Sequence, residues 1–242
     1  MKSKVSSPLP INCAPEMDAS PLCDDDDVAE RHSRIGVLRW AVEPGRVDIC
    51  TEVSIMAGCA ANPRVGHLDA VCHIFAWLKK HGQSKLVFNS ACINNKAQSL
   101  PDWTDAPEPL EKHVEMTSHI DSDHVGGKFT RRLQTGVFIF INRALIVWCS
   151  KKQSSIETSS FGSEFSAMTT GTESVEGLRC KLRMARVPAD DPCHVEANNL
   201  SVVRNSSQPE STLKKKSNLI AFHCVRERAA ARVVSAQCEP CL

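Results

Sequence analysis

The 242-residue sequence has no tyrosine, almost no net charge (+1) and no long apolar run. A membrane-spanning helix needs roughly 18 consecutive apolar residues, so the sequence predicts no membrane segment. The first residues carry no apolar segment typical of a secretory signal, and we therefore expect a soluble intracellular chain, cytoplasmic or nuclear. The small net charge excludes nucleic-acid binding through a global positive field, although a local basic surface remains compatible with it.

Cysteine is abundant instead, with 12 copies, and 42% of the residues are hydrophobic, enough for a packed core. In a reducing compartment we expect most of these cysteines to be free thiols that pack as small hydrophobes. Cys238 and Cys241 form a CxxC pair. A zinc site needs a second ligand pair at matching spacing, and none follows, so a metal or disulfide role is the less favoured alternative.

Composition shifts divide the chain into four parts. Residues 1–23 are rich in Ser and Pro and predict a disordered tail, whereas apolar residues at steps of three and four predict three helices within 24–100. Three prolines among acidic residues predict a linker over 101–112. Residues 113–242 form the second domain.

That second domain combines strand and helix patterns. Two apolar runs split by Asn142-Arg143 predict a β-hairpin, and Ser160 is placed to cap a long helix. Strands and helices then alternate, which predicts a mixed α/β sheet. Lys85–Phe88, ahead of the linker, predicts one further short strand.

Carboxylates cluster near the end of the first predicted strand of this domain. Asp121 and Asp123, flanked by His119 and His124, share a strand face and could approach one cation. A solvated turn has the same composition, so both interpretations stay open. Glu164 lies on the buried side of the long helix, where a carboxylate is costly unless a positive group meets it.

Five motifs follow one another between Asp121 and Met184. They are DSDHVGG (121–127), RRLQTG (131–136), WCSKKQ (148–153), FGSEF (161–165) and LRCKLRM (178–184). In this order they resemble the ribonuclease H domain in the Pol polyprotein of copia-type LTR retrotransposons. The resemblance implies a ribonuclease H-like mixed sheet flanked by helices over 113–242, truncated at its C-terminus.

Upstream motifs are similar to the end of the adjoining reverse transcriptase domain. They are IGVLRW (35–40), RVDI (46–49) and HLDAV (67–71). The resemblance implies that 24–100 is a mainly helical thumb and connection remnant. The family's polymerase motif, Y-V-D-D, is absent, so no polymerase activity is implied.

Intact relatives hydrolyse the RNA of RNA–DNA hybrids with two Mg²⁺ ions held by four carboxylates. By motif, Asp121 and Glu164 are the first two, and the resemblance implies catalytic and metal-binding roles for both. Asn198 stands where the third carboxylate belongs, and the segment that carries the fourth is not in the sequence. Glu196 lies on the same strand face but is too shifted to replace it. We therefore expect a degenerate, inactive site.

Two alternatives to a degenerate nuclease remain. One is a non-catalytic nucleic-acid-binding remnant with contacts from Arg131, Arg132, Lys151 and Lys152, although solvated surface lysines give the same pattern. The other is a decayed element product without function. The implied partners are an RNA–DNA hybrid or other nucleic acid and the rest of the Pol polyprotein.

The resemblance also accounts for the missing tyrosines. Cys149 and Cys180 stand where the family motifs carry Tyr, and the codons of the two residues differ by a single base. The absence of one residue and the excess of the other are therefore consistent with one history of substitution.

Overall fold

The computed structural model describes residues 5–10, 13–91, 110, 112–123, 132–157, 159–208, 210–213 and 218–238. The chain divides into two compact units. The first contains residues 1–86, 123–134 and 149–156, and the second contains 87–122, 135–148 and 157–242. Nearly all of the predicted linker over 101–112 lies outside the described residues.

Three α-helices build the core of the first unit. They are α1 (Asp25–Val42), α2 (Cys50–Ala57) and α3 (Val65–Lys80), with 3-10 turns at Pro15–Met17 and Val47–Ile49. Asp24 caps α1, since its side chain accepts the amide hydrogen of Asp27 over 2.8 Å. The apolar positions at helical spacing, such as Leu38, Met56 and Val71, pack together in one buried cluster. The three predicted helices are thus confirmed.

The segment before α1 departs from the expected disordered tail in its described part. Leu22 pairs with Arg64 as an isolated bridge, and the amide of Val65 donates to the carbonyl of Pro21 over 3.0 Å. The His67 ring lies 2.9 Å from the carbonyl of Pro15 and is only 5% exposed. A Ser- and Pro-rich composition thus does not prevent this segment from packing on α3, because α3 supplies its hydrogen-bond partners.

A five-stranded sheet with flanking helices dominates the rest of the structure. Its strands are β1 (Met116–Asp123), β2 (Gln134–Ile141), β3 (Ala144–Lys152), β4 (Cys193–Ala197) and β5 (Val234–Cys238). The helices are α4 (Ser160–Met184), α5 (Leu200–Ser207) and α6 (Leu219–Ala230). The strand order is β3-β2-β1-β4-β5, with β4 parallel to both β1 and β5. The predicted mixed α/β sheet with flanking helices is confirmed.

Local chemistry explains most of these elements. Asn142 adopts a left-handed φ of 54° in the two-residue turn between β2 and β3, a conformation that Asn tolerates well. The prediction of a strand at Lys85–Phe88 is wrong, since these residues have no regular structure and Val87 and Phe88 are exposed. An apolar run forms a strand only where another strand completes its ladder. Among the described residues, no helix is both long and apolar enough to cross a bilayer.

Candidate functional site

Close packing of α4 on β1 positions the predicted carboxylates. Gly171 of α4 lies against Ile120, and any side chain at position 171 would collide with it. Asp121 follows Ile120 on β1 and is exposed, whereas Glu164 lies two turns before Gly171 and is 7% exposed. Glu164 and Asp121 are near enough for the charge of one to perturb the other. Both predicted site residues therefore meet at one corner of the sheet.

Asn198 completes this corner. It directly follows β4, which is parallel to β1, so the two strands end at the same edge of the sheet. Its side-chain Nδ2 donates a hydrogen bond to Oδ1 of Asp121 over 3.0 Å. Asn198 thus meets Asp121 as a hydrogen-bond donor.

Glu164 is buried near another carboxylate, Asp121, and no described cation contributes to the shift of its pKa. Burial, and second the negative charge of Asp121, raise the pKa of the Glu164 carboxyl to about 7. At neutral pH the side chain is therefore protonated in a large fraction of molecules. Protonation removes the charge of this buried carboxylate and so lowers the free-energy cost of burying it.

The donor set at this corner does not fit the two Mg²⁺ ions that the resemblance implies. Mg²⁺ binds through carboxylate oxygens, and Asn198 turns an amide N–H toward Asp121 in place of an oxygen. Within the described ranges, no three side chains of the His, Cys, Asp or Glu type are grouped to hold a metal ion. In the described part of the chain, Asp121 and Glu164 are the carboxylates at this corner.

Glu196 is engaged elsewhere. The parallel register of β1 and β4 sets His119 opposite Glu196, and His119 Nδ1 lies 3.0 Å from Glu196 Oε2. The carboxylate is held by its cross-strand neighbour and not by the Asp121 corner. The sequence analysis named both residues separately but could not pair them. The register between two strands 70 residues apart cannot be predicted from the sequence of either strand.

The predicted cation cluster has three further members, of which the structure describes only the side chain of His119. Asp123 ends β1, but its side chain, like His124 as a whole, lies outside what the structure describes. His119 faces Glu196 and also makes a perpendicular ring contact with Phe140, with centroids 5.5 Å apart.

The predicted nucleic-acid contacts fall in the first unit. Arg132 and Lys151 are exposed, whereas the ammonium of Lys152 forms an ion pair with Glu16 at 2.7 Å. Arg131 lies outside the described residues. The hairpin end that carries them is fixed by Gln134, whose Nε2 donates to the hydroxyls of Ser54 and Ser150.

Ten of the cysteines lie in the described residues, and all ten are free thiols. Cys193 on β4 is fully buried, and burial raises its thiol pKa to about 12. Burial also raises the thiol pKa of Cys149, which stands where the family motif carries Tyr. These thiols pack as small apolar side chains and are poor nucleophiles. Cys238 ends β5, and Cys241 lies outside the described residues.

Comparison with known proteins gives distant likenesses. No family model matches the chain. Secreted RxLR effector protein 161 of Plasmopara viticola is 21% identical over 154 residues, which cover 64% of this chain and 94% of that protein.

Three solved structures illustrate the structural likeness. LC11-RNase H1 in complex with an RNA/DNA hybrid has a TM-score of 0.41 at 19% identity, covering 52% of this chain and 86% of its own. The N-terminal RNase H domain of a Mycobacterium tuberculosis protein has a TM-score of 0.40 at 11% identity, covering 52% and 83%. The foamy viral protease-reverse transcriptase in complex with an RNA/DNA hybrid has a TM-score of 0.35 at 10% identity, covering 70% and 24%.

Proposed function

We propose that the chain is a fragment of a copia-type Pol polyprotein in which residues 113–242 are a degenerate ribonuclease H domain that does not cleave RNA. The ordered motifs between Asp121 and Met184 support this origin. The sheet order and the meeting of Asp121 with Glu164 at one corner agree with the site that those motifs imply. The three helices of the first unit are, on the same resemblance, the remnant of a reverse transcriptase thumb and connection.

The hydrogen bond from Asn198 to Asp121 carries the proposal of inactivity. Hydrolysis with two metal ions needs carboxylates that hold both ions and so place the attacking water and the leaving oxygen. At this corner an amide replaces one unit of negative charge, and its N–H occupies an oxygen of Asp121. Asp121 and Glu164 are the remaining catalytic and metal-binding candidates, and they do not suffice for two Mg²⁺ ions.

An assay of hybrid cleavage tests this proposal. The purified 242-residue chain is incubated with a labelled RNA–DNA hybrid and either Mg²⁺ or Mn²⁺, beside the variants Asp121→Asn and Glu164→Gln. We expect no cleavage above the level of the two variants. Cleavage that either substitution abolishes would show that the site is active.

Residual nucleic-acid binding is the second candidate function, and the exposure of Arg132 and Lys151 favours it. Binding through phosphates weakens steeply as the salt concentration rises, because bound counterions are released. A hybrid-binding titration at several salt concentrations, with Arg132→Gln and Lys151→Gln against the exposed control Lys181→Gln, measures this. If neither variant reduces binding more than the control, these residues form an ordinary solvated surface. That result would favour the alternative that the chain is a decayed element product without function.

A further inference from the structure

A cavity of about 400 Å³ opens on one face of the sheet in the second unit. On β1, Thr117 and His119 point into it, whereas Ile120 points to α4 on the other face. The walls that matter here are Thr117, His119, Phe140, Arg143, Glu196 and Gln237. Asp121, Glu164 and Asn198 do not line it, so the cavity is separate from the corner described above.

The polar groups of the cavity are held in place by one another. Glu196 Oε2 is 3.0 Å from His119 Nδ1, and the His119 ring stands at 80° to the ring of Phe140. Gln237 Nε2 lies 3.2 Å from His194 Nδ1 on the neighbouring strand. A ligand would therefore meet groups that are already ordered, which reduces the entropy lost on binding.

Opposite charges stand at the two ends of the cavity. Arg143, in the exposed turn after β2, is its permanent cation, and Glu196 on β4 is its carboxylate. Because β1 separates β2 from β4, the backbones of the two residues lie two strand spacings apart across the sheet, roughly 10 Å. They are also offset along the strands by about four residues, roughly 13 Å, because the amide of Asn142 donates to the carbonyl of Glu115 whereas Glu196 lies opposite His119. The long side chain of Arg143 has to cover part of this distance. Phe140 lies on the Arg143 side, at the end of β2. The matching ligand has an anion at one end, a flat ring in the middle and an amine donor at the other end.

We propose that this cavity binds a single unpaired nucleotide whose base carries an exocyclic amine, as in cytidine monophosphate. Its phosphate lies at Arg143, its base lies against Phe140, and its amine donates to Glu196. Aromatic and arginine contacts are common for unpaired nucleotides, and a Glu carboxylate accepts from the N4 amine of cytosine. The proposal does not depend on the proposed function, since none of its residues belongs to the Asp121 corner.

Simpler ligands fit less well. An inorganic anion would use Arg143 and be repelled by Glu196, and an apolar ligand would desolvate both charged groups without bonding to either. Glu196 still has capacity for a ligand, because Oε1 accepts from no donor in the described part of the chain. Gln237 and Thr117 add both a donor and an acceptor for the edge of a base.

Nuclear magnetic resonance titration of the full isotope-labelled chain tests the proposal. The probes are cytidine monophosphate and uridine monophosphate. They differ at ring position 4, where cytosine carries an amine and uracil carries a carbonyl. Inorganic phosphate and a four-nucleotide cytidine strand are the further arms. The variants are Arg143→Gln and Glu196→Gln, each with a matched exposed control, Arg183→Gln and Glu227→Gln.

We expect saturable shifts of cavity amides with cytidine monophosphate, and binding of uridine monophosphate weaker by about tenfold. Arg143→Gln weakens both nucleotides about tenfold, and Glu196→Gln weakens only the cytidine nucleotide by a similar factor. If the four-nucleotide cytidine strand binds more tightly than the mononucleotide, the ligand of the cavity is part of a nucleic acid. If it binds more weakly, the ligand is the free nucleotide.

Three results would overturn the proposal. The first is an absence of saturable shifts up to about 10 mM cytidine monophosphate. The second is binding of uridine monophosphate or phosphate as tight as that of cytidine monophosphate. The third is binding that the cavity variants change no more than their controls. Circular dichroism of each variant confirms that it is folded before the titrations are compared.

Discussion

Each unit of the molecule buries one side chain that ordinarily carries a charge, and the two are accommodated differently. Among the Asp, Glu, Lys and Arg residues that the structure describes, only Arg31 (1% exposed) and Glu164 (7%) are buried. Arg31 cannot lose its proton. It donates to the carbonyl of Met56, and its Nε has no hydrogen-bond partner among the residues that the structure describes. Glu164 can take up a proton, and burial together with Asp121 raises its pKa to about 7.

The contrast separates a permanent charge from a titratable one. Arg31 donates to the carbonyl of Met56, a residue of the apolar cluster of the helical unit. Glu164 lies near Asp121, which accepts a hydrogen bond from Asn198. A buried permanent charge costs stability at every pH, whereas a buried titratable group costs stability only where it is ionised.

The largest expected effect belongs to Glu164→Gln. A carboxyl whose pKa is raised on folding carries no penalty below its ordinary pKa near 4.5, and the penalty grows as the pH rises through about 7. At pH 8 the variant should therefore be more stable than the parent by up to about 3 kcal/mol, with almost no difference at pH 4.5. Urea unfolding over this pH range measures it, and equal stability of the two chains at pH 8 would contradict the raised pKa.

Arg31→Met tests the other side of the comparison. Replacing a buried charge that lacks a full set of partners with an apolar side chain should stabilise the fold by about 1–2 kcal/mol. Because arginine does not titrate in this range, the gain should be the same at pH 5 and pH 8. The exposed control Arg39→Met should change stability by less than about 0.5 kcal/mol. A destabilised Arg31→Met chain would mean that the bond to Met56 outweighs the desolvation of the guanidinium.

Sequence reasoning predicted most of the second unit because its elements are fixed locally. The hairpin followed from two apolar runs around Asn142-Arg143, and β4 occupies the predicted positions Cys193–Ala197. The long helix was predicted within one residue: its cap is Ser159 and not Ser160, because the Ser159 hydroxyl accepts the amide hydrogen of Gly162 and Ser160 is the first helical residue. In each case the turn or cap residue and the apolar pattern lie next to each other in the chain.

What the sequence missed depends on contacts between distant segments. The pairing of His119 with Glu196 follows from strand register, and the cavity beside them follows from that pairing. Likewise the buried ring of His67 contacts the carbonyl of Pro15, 52 residues away. Tertiary contacts of this kind leave no local pattern, so the cavity and the tethered N-terminal segment could not be predicted.

Asn198→Asp should have the next largest effect on stability. The change removes the amide donor and sets a third carboxylate against Asp121, with Glu164 nearby. Without divalent ions we expect a loss of about 1 kcal/mol at pH 8, reduced by salt because the position is exposed. Asn199→Asp, at the adjacent helix cap, is the matched control and should be nearly neutral. A loss of equal size in both variants would assign the effect to net charge.

Asp121→Asn should have the smallest effect, on Glu164 alone. Removing the negative charge of Asp121 should lower the pKa of Glu164, but burial, the larger cause, should keep it above the ordinary range. A carboxyl carbon titration by nuclear magnetic resonance measures this shift. A pKa that returns to the ordinary range would make Asp121, and not burial, the main cause.

The central claim is that the amide of Asn198, and not a divalent cation, satisfies Asp121. Calorimetric titration of Mn²⁺ into the parent chain and into Asn198→Asp tests it most directly, with the double variant Asp121→Asn, Asn198→Asp as control. We predict that the parent shows no saturable binding of Mn²⁺. Asn198→Asp should bind Mn²⁺ with an affinity at least about tenfold above the weakest that the parent titration could detect, and the double variant should lose that binding. The claim would be contradicted if the parent bound Mn²⁺ saturably and as tightly as Asn198→Asp does, and if Asp121→Asn abolished that binding.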